Sequence, residues 1–134
     1  MAEKTKKKRK KKSRYNRGAY VSMKSGVMYT HRSGWELLYM KYLDSNTDVV
    51  SWTYEQIVIE YVSNIRTNKI RRYYPDFFVT YSDGHSEVIE VKPKRKLSHT
   101  TVIKKSEAAL LWCKKNYLTY RIITEDELKA INLL

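Results

Sequence analysis

A single cysteine, Cys113, is present in 134 residues, so no disulfide can close within the chain. The three histidines are scattered and form no cysteine and histidine cluster of the zinc type. Both absences point to a reducing compartment, with Cys113 as a core residue. No apolar run approaches the roughly 20 residues that cross a bilayer, and no apolar segment follows the charged N-terminus, which argues against a secretory signal. The expectation is a soluble, intracellular protein that is not secreted. Acidic residues are also scarce, 14 against 27 Lys and Arg, for a net charge of +13. With 42% hydrophobic residues and 13% aromatics, the chain still has enough apolar mass for one real core.

The charge is unevenly spread. Residues 1–17, "MAEKTKKKRKKKSRYNR", hold ten basic residues and one acid, or +9, which leaves 13 − 9 = +4 for residues 18–134. An arm with almost no apolar side chains and strong self-repulsion is expected to be disordered or extended and suited to a polyanion. Lys6, Lys7, Lys8, Arg9, Lys10, Lys11 and Lys12 are its candidate DNA contacts. The plainer reading is a solubilising or nuclear-targeting tail.

From Gly18 onward the patterns are those of a folded unit. "YVSMKSGVMYTH" suggests a short hairpin or irregular arm around Lys24 to Gly26. "RSGWELLYMKYLDS" spaces Trp35, Leu38, Tyr39 and Tyr42 for a helix over 33–44, with Ser33 and Glu36 as a capping box. Then "WTYEQIVIEYV" and "IRRYYPDFFVTY" read as two strands separated by "SNIRTNK", and "HSEVIEVK" as a third, stopped by Pro93. The basic loop "KRKLSHTT" ends in hydroxyl residues able to cap the helix "VIKKSEAALLWCKKN", whose apolar stripe is Val102, Ala109 and Trp112. "YLTYRIIT" is a fourth strand, and Thr124 with Glu127 opens a short last helix. No internal repeat is visible. The order is α, β, β, β, α, β and a terminal α.

The loop "SDG" suits a three-residue hairpin turn with Gly84 in the left-handed region. Tyr81 then opposes His85, Phe78 opposes Val88, and Asp76 opposes Glu90. Lys92 projects from the same face about 7 Å further along. A two-residue "DG" turn would slip the register and set Asp76 against Val91 instead. Two carboxylates directly opposite each other repel, and a divalent cation removes the objection. Mg²⁺ takes one or two carboxylates and completes its shell with water and phosphate, a set suited to phosphoryl transfer with a lysine nearby to orient water or stabilise charge.

"YPDFFVTYSDGHSEVIEVKP" resembles the signature of the PD-(D/E)XK nuclease superfamily, with Pro75 and Asp76 as its first element and Glu90, Val91 and Lys92 as its acid-x-lysine. The αβββαβ order is similar to that superfamily's restriction-endonuclease-like α/β core, a mixed central sheet flanked by helices. Glu36 in "RSGWE" sits where TnsA-like members carry a further acid. The resemblance runs from about Arg32 to Glu125. Small size, the lysine-rich start and "RSGWE" also resemble the head-completion nucleases of T-even-like phages. The resemblance implies a basic arm over 1–17, a nuclease-like domain over 18–134 and a Mg²⁺- or Mn²⁺-dependent endodeoxyribonuclease. Asp76, Glu90, Glu36 and the Val91 carbonyl would hold the metal, and Lys92 would act on the attacking water, making Glu36, Asp76, Glu90 and Lys92 the catalytic set. It further implies DNA as partner, phage portal or neck proteins as candidate partners, and residence in the host cytoplasm during assembly or at the virion neck.

Each residue also has an ordinary reading. Pro75 and Asp76 are common turn chemistry, Glu36 fits a plain cap, and Glu90 with Lys92 fits an exposed ion pair worth little. Arg71, Arg72, Lys94, Arg95 and Lys96 are expected to hold the DNA backbone, against a solvated loop and strand surface. His31, His85 and His99 fall on different elements and suggest no triad, and Ser33 and Cys113 have no base nearby in sequence. The competing functions are a structural, non-catalytic DNA-binding neck or head-completion protein of the same fold, and a basic RNA-binding module. Neither needs acids gathered against phosphate.

Overall fold

The computed structural model describes residues 17–134, in two compact units that meet in sequence at Asn46 and Thr47. The arm lysines from Lys6 to Lys12, with Arg9, lie outside the described residues.

In the first unit the expected hairpin forms. Strand β1 (Gly18–Val21) pairs antiparallel with β2 (Met28–His31), from Gly18 opposite His31 to Val21 opposite Met28. The connecting turn places Gly26 at φ 75°, a conformation that glycine adopts at little cost. Gly18 has a different reason: a Cβ there would meet the His31 ring at 3.0 Å. Helix α1 (Gly34–Ser45) starts at the expected cap, Ser33, whose Oγ accepts from Glu36 N at 3.1 Å. The Glu36 carboxylate accepts from Arg32 N at 2.8 Å, one residue before the position a capping box requires. The buried stripe is Glu36, Tyr39, Met40 and Leu43. Of the expected stripe, Tyr39 is buried, whereas Trp35, Leu38 and Tyr42 are only half-buried. Near the end of α1, Asp44 accepts from Tyr20 Oη (2.6 Å) and Met23 N (2.7 Å), tying the hairpin to the helix. Burial and this acceptor push the Tyr20 pKa up to about 12.

The second unit has a four-stranded sheet in the order β3 (Val49–Tyr54), β6 (Phe77–Tyr81), β7 (Ser86–Val91), β8 (Thr119–Ile123). The pairs β3–β6 and β6–β7 are antiparallel, whereas β7–β8 is parallel, so the sheet is mixed. The parallel step needs a crossover, supplied by α2 (Thr100–Lys115), and α3 (Glu125–Ala130) follows β8. A separate hairpin, β4 (Ile59–Asn64) with β5 (Lys69–Tyr73), lies between β3 and β6 in the chain and packs against α2.

This hairpin corrects the strand reading. The two long strands expected at 52–62 and 70–81 are each broken, giving four strands where two were expected. On one side Glu55 enters the left-handed region at φ 56°. On the other Pro75 lacks the N–H that a ladder needs. Glu55 N donates to Asp76 O at 2.8 Å across the break. The αβββαβ order therefore survives as α1, β3, β6, β7, α2, β8, with the β4–β5 hairpin inserted.

Two caps differ. The loop hydroxyls before α2 do not cap it: its N-cap is His99, which makes no side-chain cap bond. At α3 the expected box is complete, with Thr124 Oγ1 accepting from Asp126 N and Glu127 Oε1 accepting from Thr124 N at 2.7 Å. Ile59, Tyr61, Tyr73 and Ala109 form a core between the hairpin and α2, with Trp112 against it. Phe77, Val79, Val88 and Ile89 are almost fully buried along β6 and β7, and Phe77 meets Trp52 edge-on at 5.9 Å. Cys113 is a buried free thiol on α2, its pKa raised to about 11 by burial.

Candidate active site

Register decides whether the acids meet. Phe77 faces Ile89 and Phe78 faces Val88, and Gly84 turns the chain at φ 95° with its N–H on Tyr81 O at 2.9 Å. Tyr81 and His85 stack across the turn with ring centroids 4.5 Å apart. This is the three-residue "SDG" turn, not the two-residue alternative. Continuing the register one step beyond Phe77 sets Asp76 against Glu90.

The two carboxylates are bound into one network. Val91 N donates to Asp76 Oδ2 at 2.8 Å, and Asp76 N approaches Glu90 Oε1 at 3.3 Å. Tyr73 donates its hydroxyl to the same Glu90 oxygen at 2.7 Å and meets the Tyr120 hydroxyl at 2.9 Å. Lys92 Nζ stands 3.2 Å from Glu90 Oε2. Asp76 and Glu90 are 6% and 7% exposed, so Glu90 and Lys92 are not the exposed surface pair of the ordinary reading. Burial raises the Glu90 pKa, and the Lys92 charge and the Tyr73 hydrogen bond oppose that rise. Burial, with the Glu90 charge next, pushes the Tyr73 hydroxyl far above its ordinary range, so it stays a donor. Tyr120 is raised to about 12, first by burial.

Beside Glu90 and Lys92 is a pocket of about 10 Å³, room for little more than one water. Lys105, Ser106 and Tyr120 complete its polar rim. Among the described residues no three His, Cys, Asp or Glu side chains gather as a ready-made cage. The donor set here is two hard, buried carboxylates, which fits a cation that takes one or two carboxylates and keeps several waters.

The other expected residues sit on several elements. Glu36 belongs to the first unit, where its carboxylate is buried at the start of α1. Strand alternation separates Arg71 from Arg72. Arg71 pairs with Tyr61 and so shares the α2-facing side, while Arg72 pairs with Glu60 on the opposite, exposed side. Lys94, Arg95 and Lys96 form a short 3-10 turn instead of a loose loop. Lys94 is held by α3: its N–H reaches Glu125 Oε1 at 2.7 Å and its Nζ reaches Asp126 Oδ2 at 2.6 Å. Arg95 is exposed and Lys96 half-buried.

Sequence reasoning missed Tyr73 and Tyr120. With 12 tyrosines in the chain, composition singles out neither, although Tyr73 lies three residues before Asp76.

A family model described as "TnsA-like endonuclease N terminal" matches residues 46–125. The head completion nuclease of Enterobacteria phage T4 is 34% identical over 124 residues, covering 76% of this chain and 82% of that protein.

Proposed function

The chain belongs to the TnsA-like endonuclease family, and from that premise we propose that it hydrolyses DNA phosphodiester bonds with a divalent metal, Mg²⁺ or Mn²⁺, at Asp76 and Glu90. The supporting observation is the pairing of two buried carboxylates across the β6–β7 ladder, with Lys92 on the same network. Asp76 and Glu90 would hold the ion, with the Val91 carbonyl beside them and Glu36 as the further acid that the family resemblance brings. When bound, the ion supplies charge neutralisation at the phosphate and a more acidic water.

The chain's own residues do the rest. Tyr73 and the Asp76 N–H fix the Glu90 carboxylate, and Val91 N fixes that of Asp76. Lys92, whose Nζ stands 3.2 Å from Glu90, would offset negative charge developing on the phosphate and orient the attacking water. Arg71, Arg72, Arg95 and Lys96 supply backbone contacts, Lys94 being partly engaged by α3, and the arm over 1–17 adds Lys6, Lys7, Lys8, Arg9, Lys10, Lys11 and Lys12 to a nuclease-like domain over 18–134.

The likeness to the phage T4 protein supports a role in completing phage heads. DNA and portal or neck proteins are then its partners, in the host cytoplasm during assembly or at the virion neck. No helix among the described residues is long and apolar enough to cross a membrane.

The test is cleavage of plasmid DNA by purified protein. Cutting should require Mg²⁺ or Mn²⁺, stop with EDTA, and disappear in Glu90→Gln and Asp76→Asn variants that remain folded. Equal cutting by Glu90→Gln and the natural protein would assign the activity elsewhere and leave a non-catalytic DNA-binding role for the fold.

A further inference from the structure

A groove of about 580 Å³ runs between the β4–β5 hairpin and the first turns of α2. Ser63, Asn64, Lys69 and Arg71 line it from the hairpin, and Lys104 and Lys105 line it from the helix. No carboxylate lines it, and none of the four cations is ion-paired among the described residues. Four like charges facing one groove repel, so the arrangement is matched to a polyanion.

The groove has a direction. Lys69, Arg71 and Tyr73 alternate onto one side of β5, about 6.6 Å apart, similar to the separation of neighbouring phosphates along a nucleic-acid strand. Tyr73 ends that row at Glu90. On the helix wall Lys104 Nζ donates to Ser63 O at 2.7 Å, and Lys105 Nζ lies 5.5 Å from the Tyr73 ring centroid. Lys105 lines both this groove and the small pocket at Glu90 and Lys92, so the two adjoin.

We propose that Lys69, Arg71, Lys104 and Lys105 form a track for the phosphodiester backbone of one DNA strand, leading from the tip of the β4–β5 hairpin to the acid pair. Naming the polyanion as DNA rests on the nuclease reading. Lysine, arginine and small polar side chains bind phosphate without reading bases, so the track holds a strand regardless of sequence.

The test uses the full chain, a fluorescein-labelled DNA duplex of mixed sequence, and EDTA throughout, so that binding is measured without cutting. Lys69→Gln/Arg71→Gln removes two exposed cations from the track, and Lys114→Gln/Lys115→Gln removes two from the far end of α2. The track variant should flatten the plot of log affinity against log salt by about 1.8, at about 0.9 for each phosphate no longer neutralised. The far-end variant should keep the slope of the natural protein, and both should keep its melting temperature. An unchanged slope in the track variant overturns the proposal and leaves the groove to another polyanion, such as an acidic protein segment. Equal flattening by both variants also overturns it, in favour of a diffuse field. Cleavage with Mg²⁺ is scored separately: a flattened slope in the track variant beside a natural protein that never cuts supports the track and removes the nuclease reading.

Discussion

The β6–β7 hairpin and the β4–β5 hairpin are neighbours in the chain and similar in length, yet they carry charge in opposite ways. β6–β7 is paired on both sides, by β3 and β8, and its interior positions are almost fully buried. Its buried charge is mostly acidic: Asp76 and Glu90 with Lys92 at one end, and Glu87, its side chain 13% exposed and held by Tyr81 and Arg121, further along β7. Among the described residues β4–β5 pairs with no third strand, packs one side on α2, and carries exposed Lys69, Arg71 and Arg72. Burial explains the contrast. A carboxylate kept from water needs neighbours that hold it, whereas an exposed lysine or arginine needs none. The buried acids sit where geometry is fixed, and the cations of β5 spread where a long ligand can lie, with the exposed acid Glu60 on the other side of that hairpin, opposite Arg72.

Substitutions in the two hairpins should therefore fail in different ways. The largest effect is expected at the buried acids: Asp76→Asn or Glu90→Gln should lower the cleavage rate on the order of 10⁴-fold, with the far-ultraviolet spectrum intact. Lys92→Ala should follow at about 10²- to 10³-fold, measured as kcat at saturating DNA.

A smaller loss, with a different signature, is expected from Tyr73→Phe. It takes a short hydrogen bond from a buried carboxylate, which should cost about 1 to 3 kcal/mol of unfolding free energy in denaturant titrations and lower kcat as well. If Tyr73→Phe cuts and unfolds like the natural protein, Glu90 is held by other groups.

On the exposed side, removing residues 1–17 should change binding and leave kcat at saturating DNA nearly as it was. Each phosphate that the arm no longer neutralises takes about 0.9 from the salt slope on duplex DNA. An unchanged slope would assign the arm to targeting or to a protein partner.

The smallest effect lies away from both hairpins. Thr124→Ala removes the α3 cap and should cost about 1 kcal/mol. Hydrogen bonds from Thr124 hold the Glu127 pKa below its ordinary value. A depressed carboxylate contributes stability above its unfolded pKa and loses it as pH falls through the folded one. Thr124→Ala should accordingly shrink the acid-side loss of stability as well as lower the melting temperature at neutral pH.

Much of this frame is legible in the sequence where one local residue decides the outcome. Ser33 starts α1, Thr124 and Glu127 start α3, and Gly84 fixes the register that sets Asp76 against Glu90. Three features are not. Glu55 is a non-glycine residue in the left-handed region, and nothing in its neighbourhood announces that, so an apparently continuous strand hides a break. Tyr73 acts through a hydrogen bond to a residue 17 positions away, one of many similar tyrosines until the chain folds. The groove joins Lys69 and Arg71 to Lys104 and Lys105 across more than 30 residues of sequence, a juxtaposition only the packing of α2 on the hairpin creates. Local rules found the acid pair because it sits on one hairpin; of the four groove cations they named Arg71 and missed Lys69, Lys104 and Lys105, because the groove is shared by two elements.

The most direct measurement is Mn²⁺ binding followed by electron paramagnetic resonance of the free ion, which needs no DNA and no turnover. The natural protein should take up Mn²⁺, Asp76→Asn and Glu90→Gln should lose that uptake, and Lys69→Gln/Arg71→Gln should keep it. Uptake that is undiminished in both Asp76→Asn and Glu90→Gln would contradict a metal held between these two acids.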